Sequence, residues 1–81
     1  MNNPHIKPYT TRTGVQQFKP SADLLEEMDN DNQGFCLACG TIEDGVEPDA
    51  TRYTCSDCGA AKVYGASELA LMGLYFTTAT E

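Results

Sequence analysis

Cys36-Leu37-Ala38-Cys39-Gly40 and Cys55-Ser56-Asp57-Cys58-Gly59 are two matched stretches, each a cysteine pair closed by glycine, with fifteen residues between the pairs. These four cysteines are the only ones in the 81-residue chain, so no thiol is left over. A C-x-x-C loop puts two sulfurs on one side of a tight turn. Two such loops facing each other complete a closed tetrahedral S4 shell. The spacing falls in the window of tetrathiolate zinc sites, and a closed shell is structural because it keeps no position open for water or substrate. Cys36, Cys39, Cys55 and Cys58 are therefore the expected ligands of one structural Zn2+. The glycine after each pair accepts backbone angles that bulkier residues resist. It lets nearby amides turn toward the sulfurs and spread the thiolate charge.

Length points the same way. A chain of 81 residues supports one small core, and a core that small usually needs a staple such as a structural metal. Disulfides are the competing staple. The start, Met1-Asn2-Asn3-Pro4-His5, has neither the basic nor the apolar segment of a secretory signal. A cytoplasmic setting is expected, where paired thiols usually mean metal or redox work. The longest apolar run, Leu69 to Phe76, is too short to span a bilayer, and no membrane partner is expected.

The net charge of −7 is spread unevenly. Residues 1–20 hold Lys7, Arg12 and Lys19 without an acid, and residues 21–33 hold Asp23, Glu26, Glu27, Asp29 and Asp31 without a base. From Gly34 onward seven acids face Arg52 and Lys62. Four thiolates on one Zn2+ would make the module still more negative. A nucleic-acid partner is disfavoured, because phosphate backbones demand the opposite sign.

Three segments are expected. Residues 1–20 hold three of the four prolines and show no hydrophobic period, so they read as a flexible arm. Residues 21–33 read as a short helix, about Ala22 to Met28, capped by Ser21 and followed by a polar connector. Its Leu24, Leu25 and Met28 share one face. Residues 34–81 read as the metal domain. Phe35 enters and Thr41-Ile42 leaves the first knuckle, Thr51 to Thr54 and Ala61 to Tyr64 form strands, and Glu43 to Asp49 form an exposed loop. A last helix is expected to be capped by Ser67, with Leu69, Met72 and Phe76 as its apolar stripe.

Gly34 to Gly40 together with Tyr53 to Gly59 resembles the zinc-ribbon superfamily. The wider stretch, with Glu47-Pro48-Asp49-Ala50 and Val63-Tyr64-Gly65, is similar to small zinc-ribbon proteins of bacteria and bacteriophages. The likeness covers residues 34 to about 74. It implies a zinc ribbon with two knuckles; with the two helices expected from the residues themselves, the expected fold is a small metal-stabilised α+β fold with about three antiparallel strands, a short N-terminal helix and a C-terminal helix. It also implies Cys36, Cys39, Cys55 and Cys58 as ligands.

The expected function is a non-enzymatic zinc ribbon that binds a protein partner or acts as a regulatory module. One alternative is a nucleic-acid-binding ribbon that draws its charge from the basic arm. Another is a rubredoxin-like iron electron carrier. Rubredoxins, however, have a longer gap, usually a proline inside the second pair, and a richly aromatic core. His5, the single histidine, reads as a solvated tail residue, and no Ser/His/Asp set assembles around it. Tyr53 and Tyr64 read as packing residues, and Arg52 and Lys62 as partners of the loop acids.

Overall fold

The structure, a computed structural model, describes residues 5–77. The chain forms a small α+β fold with two helices among these residues, and its paired strands run antiparallel. Strands β3 (Gln33–Cys36), β4 (Ile42–Asp44), β5 (Tyr53–Thr54) and β6 (Ala61–Gly65) make one sheet in the order β4-β3-β6-β5. Strands β1 (Ile6–Thr10) and β2 (Gln16–Pro20) make a separate hairpin. Helices α1 (Ala22–Asn30) and α2 (Ala66–Met72) complete the fold.

The central pair β3-β6 decides where everything else sits. Phe35 pairs with Tyr64 and Cys36 with Val63. Paired residues share a face and successive residues alternate. Phe35, Leu37 and Tyr64 therefore meet Leu25, Met28, Ala66 and Leu69 of the helices in one core. Cys36 and Val63 meet Val46, Ala50 and Cys55 in a second core on the opposite face. One sheet thus carries a helix-covered face and a cysteine-lined face.

Residues 6–20 depart from the expectation of a flexible arm. Ile6 pairs with Pro20 and Thr10 with Gln16, around a turn in which Thr11 N–H donates to the Val15 carbonyl at 2.8 Å. The hairpin docks on the first knuckle through Phe18 N–H, which donates to the Leu37 carbonyl at 2.8 Å. Ile6 and Phe18 pack against the helix-side core. Pairing succeeds without a clean alternating pattern because the docked body, not the arm's own composition, covers its apolar side chains. Residues 1–4 of the expected arm lie outside the described residues.

Helix α1 starts where expected. The Ser21 side chain accepts from Leu24 N–H at 3.0 Å, satisfying one of the donors that every helix start leaves open. Helix α2 starts differently. Its cap is Gly65, which makes no side-chain bond, so Ser67 is not the cap. The loop supplies the missing acceptor, since Glu68 N–H donates to the Pro48 carbonyl at 3.0 Å. At its other end Gly73 adopts a left-handed φ of 71° and stops the helix. Phe76 consequently leaves the expected stripe. Its backbone instead stitches the C-terminal segment to the start of α1, accepting from Ala22 N–H at 2.7 Å and donating to the Pro20 carbonyl at 3.0 Å. Residues 78–81 lie outside the described residues.

The loop expected to be exposed is partly inside. Val46 is buried, as is Ala50 just beyond the loop, and Gly65 N–H donates to the Ala50 carbonyl at 3.0 Å. Among the described residues no helix is long and apolar enough to cross a membrane.

Candidate metal centre

Each knuckle is built by the same backbone bonds. In the first, Gly40 N–H donates to the Cys36 carbonyl at 2.8 Å and Cys36 N–H to the Thr41 carbonyl at 2.9 Å. In the second, Gly59 N–H donates to the Cys55 carbonyl at 2.9 Å and Cys55 N–H to the Ala60 carbonyl at 2.8 Å. Both turns close through glycine at a positive φ, 82° for Gly40 and 80° for Gly59. Side chains with a β-carbon resist this region. The sequence repeat Cys-x-x-Cys-Gly is a structural repeat for this reason.

The two knuckles face each other. All four sulfurs lie within 4.8 Å of one another, with Cys36 Sγ to Cys58 Sγ and Cys39 Sγ to Cys55 Sγ each 3.7 Å. Tetrahedral ligands on metal–sulfur bonds of about 2.3 Å stand about 3.8 Å apart. The group could therefore hold one metal ion with little movement. All four cysteines are free thiols. The structure thus brings together every site residue expected from the sequence.

Amides support the sulfurs as expected. The Cys39 and Ala38 amides oppose the effect of burial on the Cys36 thiol. Cys55 Sγ accepts from the Asp57 amide at 3.3 Å and the Cys58 amide at 3.5 Å. Such bonds orient a ligand and spread its charge once it is a thiolate. Burial is uneven: Cys36 and Cys55 are buried, Cys39 is half-buried and Cys58 is exposed. Burial pushes the Cys36 thiol up to about 12. An entering metal must displace that proton, so affinity rises with pH. Cys39 is also raised by burial, but its hydrogen bonds together, those of the Thr41 amide, Cys36 and Cys55 among them, outweigh this and leave it below the ordinary thiol range.

A second set of contacts ties the knuckles together by side chains. Thr41 Oγ1 lies 3.1 Å from Cys39 Sγ and donates to Asp57 Oδ2 at 2.8 Å. Glu43 Oε2 accepts from the Ser56 amide at 2.9 Å and from its hydroxyl at 2.8 Å. These bonds, the amide first, hold the Glu43 carboxyl below its usual range. Residues leaving the first knuckle thus grip the tip of the second before any ion is considered. Reading Glu43 as a solvated loop acid missed this role. The signal present was the Ser56-Asp57 pair inside the second knuckle, polar where the first has Leu37-Ala38.

Other expectations sort differently. His5 is no tail residue in solvent: its Nδ1 lies 2.8 Å from Ser21 Oγ, away from the sulfur group. Tyr64 packs on the helix-side core. Tyr53 does not pack inside; it is exposed, and its hydroxyl donates to Glu47. Comparison with protein-family models, with curated proteins and with solved structures yields no match.

Proposed function

We propose that this chain is a non-enzymatic zinc-binding protein, a four-cysteine zinc ribbon whose metal is structural and whose surface binds a protein partner. The observation that carries the reading is the cluster of four sulfurs drawn from two opposed knuckles, all within 4.8 Å of one another. An all-thiolate tetrahedral shell suits zinc. When bound, the ion supplies folding free energy, and its full shell leaves no place for a substrate.

The chain's own residues perform the rest. Cys36 and Cys55, buried under their knuckles, would hold the ion from inside, and Cys39 and Cys58 would close it from the solvent side. The rigid unit then presents α2, whose Leu71 and Met72, with Tyr75 just beyond, are 82%, 41% and 38% exposed. Three large apolar residues in solvent near one helix end favour a protein contact over a nucleic-acid one, as does the net charge of −7.

Intact-mass measurement under native and denaturing conditions tests the metal. The expected result is one zinc ion per chain natively and four reduced thiols after unfolding. A red, iron-containing protein or two disulfides would overturn it. Affinity capture with Leu71→Ser as the control tests the partner. A protein retained by wild type and lost by that variant is expected, and equal recovery by both sinks the reading.

A further inference from the structure

We propose that the groove between α1 and α2 receives an arginine side chain of a protein partner. Its aliphatic stem lies on the groove floor and its guanidinium sits between Glu26 and Asp29. This assignment rests on the protein-binding reading above and names the chemistry that the partner brings.

The groove has a volume of about 240 Å³, and Ala22, Leu25, Ala66 and Ala70 give it an apolar lining. Small-molecule sites begin near about 300 Å³, so this one suits a single long side chain better than a whole metabolite. Glu26 and Asp29 also line it. They stand three positions apart on α1 and are neighbours on one helix face. Both are exposed, and neither carboxylate has a side-chain partner among the described residues. Helix α1 carries Asp23, Glu26, Glu27 and Asp29 and no base, so no lysine or arginine of the helix itself satisfies the pair.

An apolar floor beneath two unneutralised carboxylates matches an amphipathic cation. Long basic side chains lay their methylene stems on apolar surface and keep the charge in water. Arginine suits this site better than lysine. Its guanidinium is more weakly hydrated than an ammonium and offers a planar fork of donors to carboxylates. Ser67, also lining the groove, adds a hydroxyl within the same wall. Leu71, four positions on from Ser67 and 82% exposed, extends that face of α2 as an apolar shelf. A residue flanking the arginine would cover it. The complementary ligand is therefore a peptide segment pairing arginine with a large aliphatic residue.

The test is a titration of the isotope-labelled, metal-loaded full chain with acetyl-Leu-Arg-Leu-amide, followed by amide chemical shifts. Shifts confined to Ala22, Glu26, Asp29, Ser67, Ala70 and Leu71 are expected. Replacing arginine by citrulline, which keeps the shape and removes the charge, should weaken binding by about tenfold or more. The doubly neutral variant Glu26→Gln/Asp29→Asn should do the same. Both positions are exposed, so folding is not at issue, and Ala70→Leu should fill the floor and abolish binding. No shift at millimolar peptide, shifts spread over Glu43 to Asp49, or a response unaltered by the double variant would each overturn the groove assignment. The broader reading fails separately. A chain that ignores the tripeptide yet captures a defined partner in a Leu71-dependent way loses the groove and keeps the protein contact.

Discussion

The two faces of the β4-β3-β6-β5 sheet are held by different physics. On the helix side, Met28, Phe35 and Leu69 are fully buried beside Leu25, Leu37 and Ala66. This is an ordinary apolar core, and burying each large side chain contributes about 1.5–3 kcal/mol. On the knuckle side, the buried residues are Cys36, Val46, Ala50, Cys55 and Val63. They are small, and burial of so little apolar surface cannot order two knuckles and a loop against their chain entropy. Backbone bonds of the loop and side-chain ties between knuckles make up part of the difference, and the proposed metal would supply the rest. On that reading a small domain keeps one apolar core and coordinates the other.

The strongest way to break this contrast is to remove the metal. A strong chelator, or Cys36→Ser, is expected to unfold residues 34–65. Structural zinc contributes apparent energies of about 10–16 kcal/mol near neutral pH, more than a small domain's usual margin. Circular dichroism and amide exchange check this, and an unchanged spectrum after chelation would contradict it. Because Cys36 and the other candidate ligands must lose protons to bind, metal release is expected on acidification.

The next test strikes the other face. Leu69→Ala should cost about 2–5 kcal/mol by leaving a cavity between the helices and β3. The four cysteines should still take up one metal ion, measured by thiol protection. Loss of metal binding in that variant would show the two faces to be one unit.

A smaller effect is expected where the faces meet. Gly65 lies at the end of β6, and a β-carbon there would collide with the backbone carbonyls of Glu47 and Pro48. Gly65→Ala should therefore push the loop off the sheet and cost about 1–3 kcal/mol, read from the denaturation midpoint. Gly59→Ala meets nothing within 4 Å and should cost only the strain of its positive φ, about 1–2 kcal/mol.

The smallest effect sharpens the role of the side-chain ties. Glu43→Gln removes an ionised acceptor from Ser56 and should speed metal loss several-fold with little change in fold. Metal transfer to a chromogenic chelator measures it. The sign with pH follows from the lowered Glu43 carboxyl. Its tie is complete above the ordinary carboxylate range and weakens only as pH falls through the lowered value. At neutral pH wild type and variant should differ; in strong acid they should converge.

The Cys-x-x-Cys-Gly repeat and the helix over Leu24, Leu25 and Met28 were legible because each depends on near neighbours. A knuckle is closed by bonds across four or five residues, and a cap such as Ser21 acts within three. The hairpin of residues 6–20 was not legible, since Ile6 and Phe18 find their cover on a core assembled from distant residues. Ser67 was misread for a related reason: the helix starts earlier, at Gly65, and the open donor of its first turn, Glu68 N–H, is taken by a carbonyl twenty residues away. Phe76 looked like part of a helical stripe until Gly73 ended the helix before it.

By itself the sequence determined a cysteine pattern with the right chemistry and spacing for one tetrahedral site. Local turns dictate that much, because four sulfurs in two identical loops have few other ways to be useful. Tertiary structure alone decided that Thr41 and Glu43 hold the second knuckle to the first. It alone folded Val46 and Ala50 inward, and it opened a groove between α1 and α2 that Glu26 and Asp29 line. Those features arise only when segments far apart in the chain meet, and no local period records which segments will.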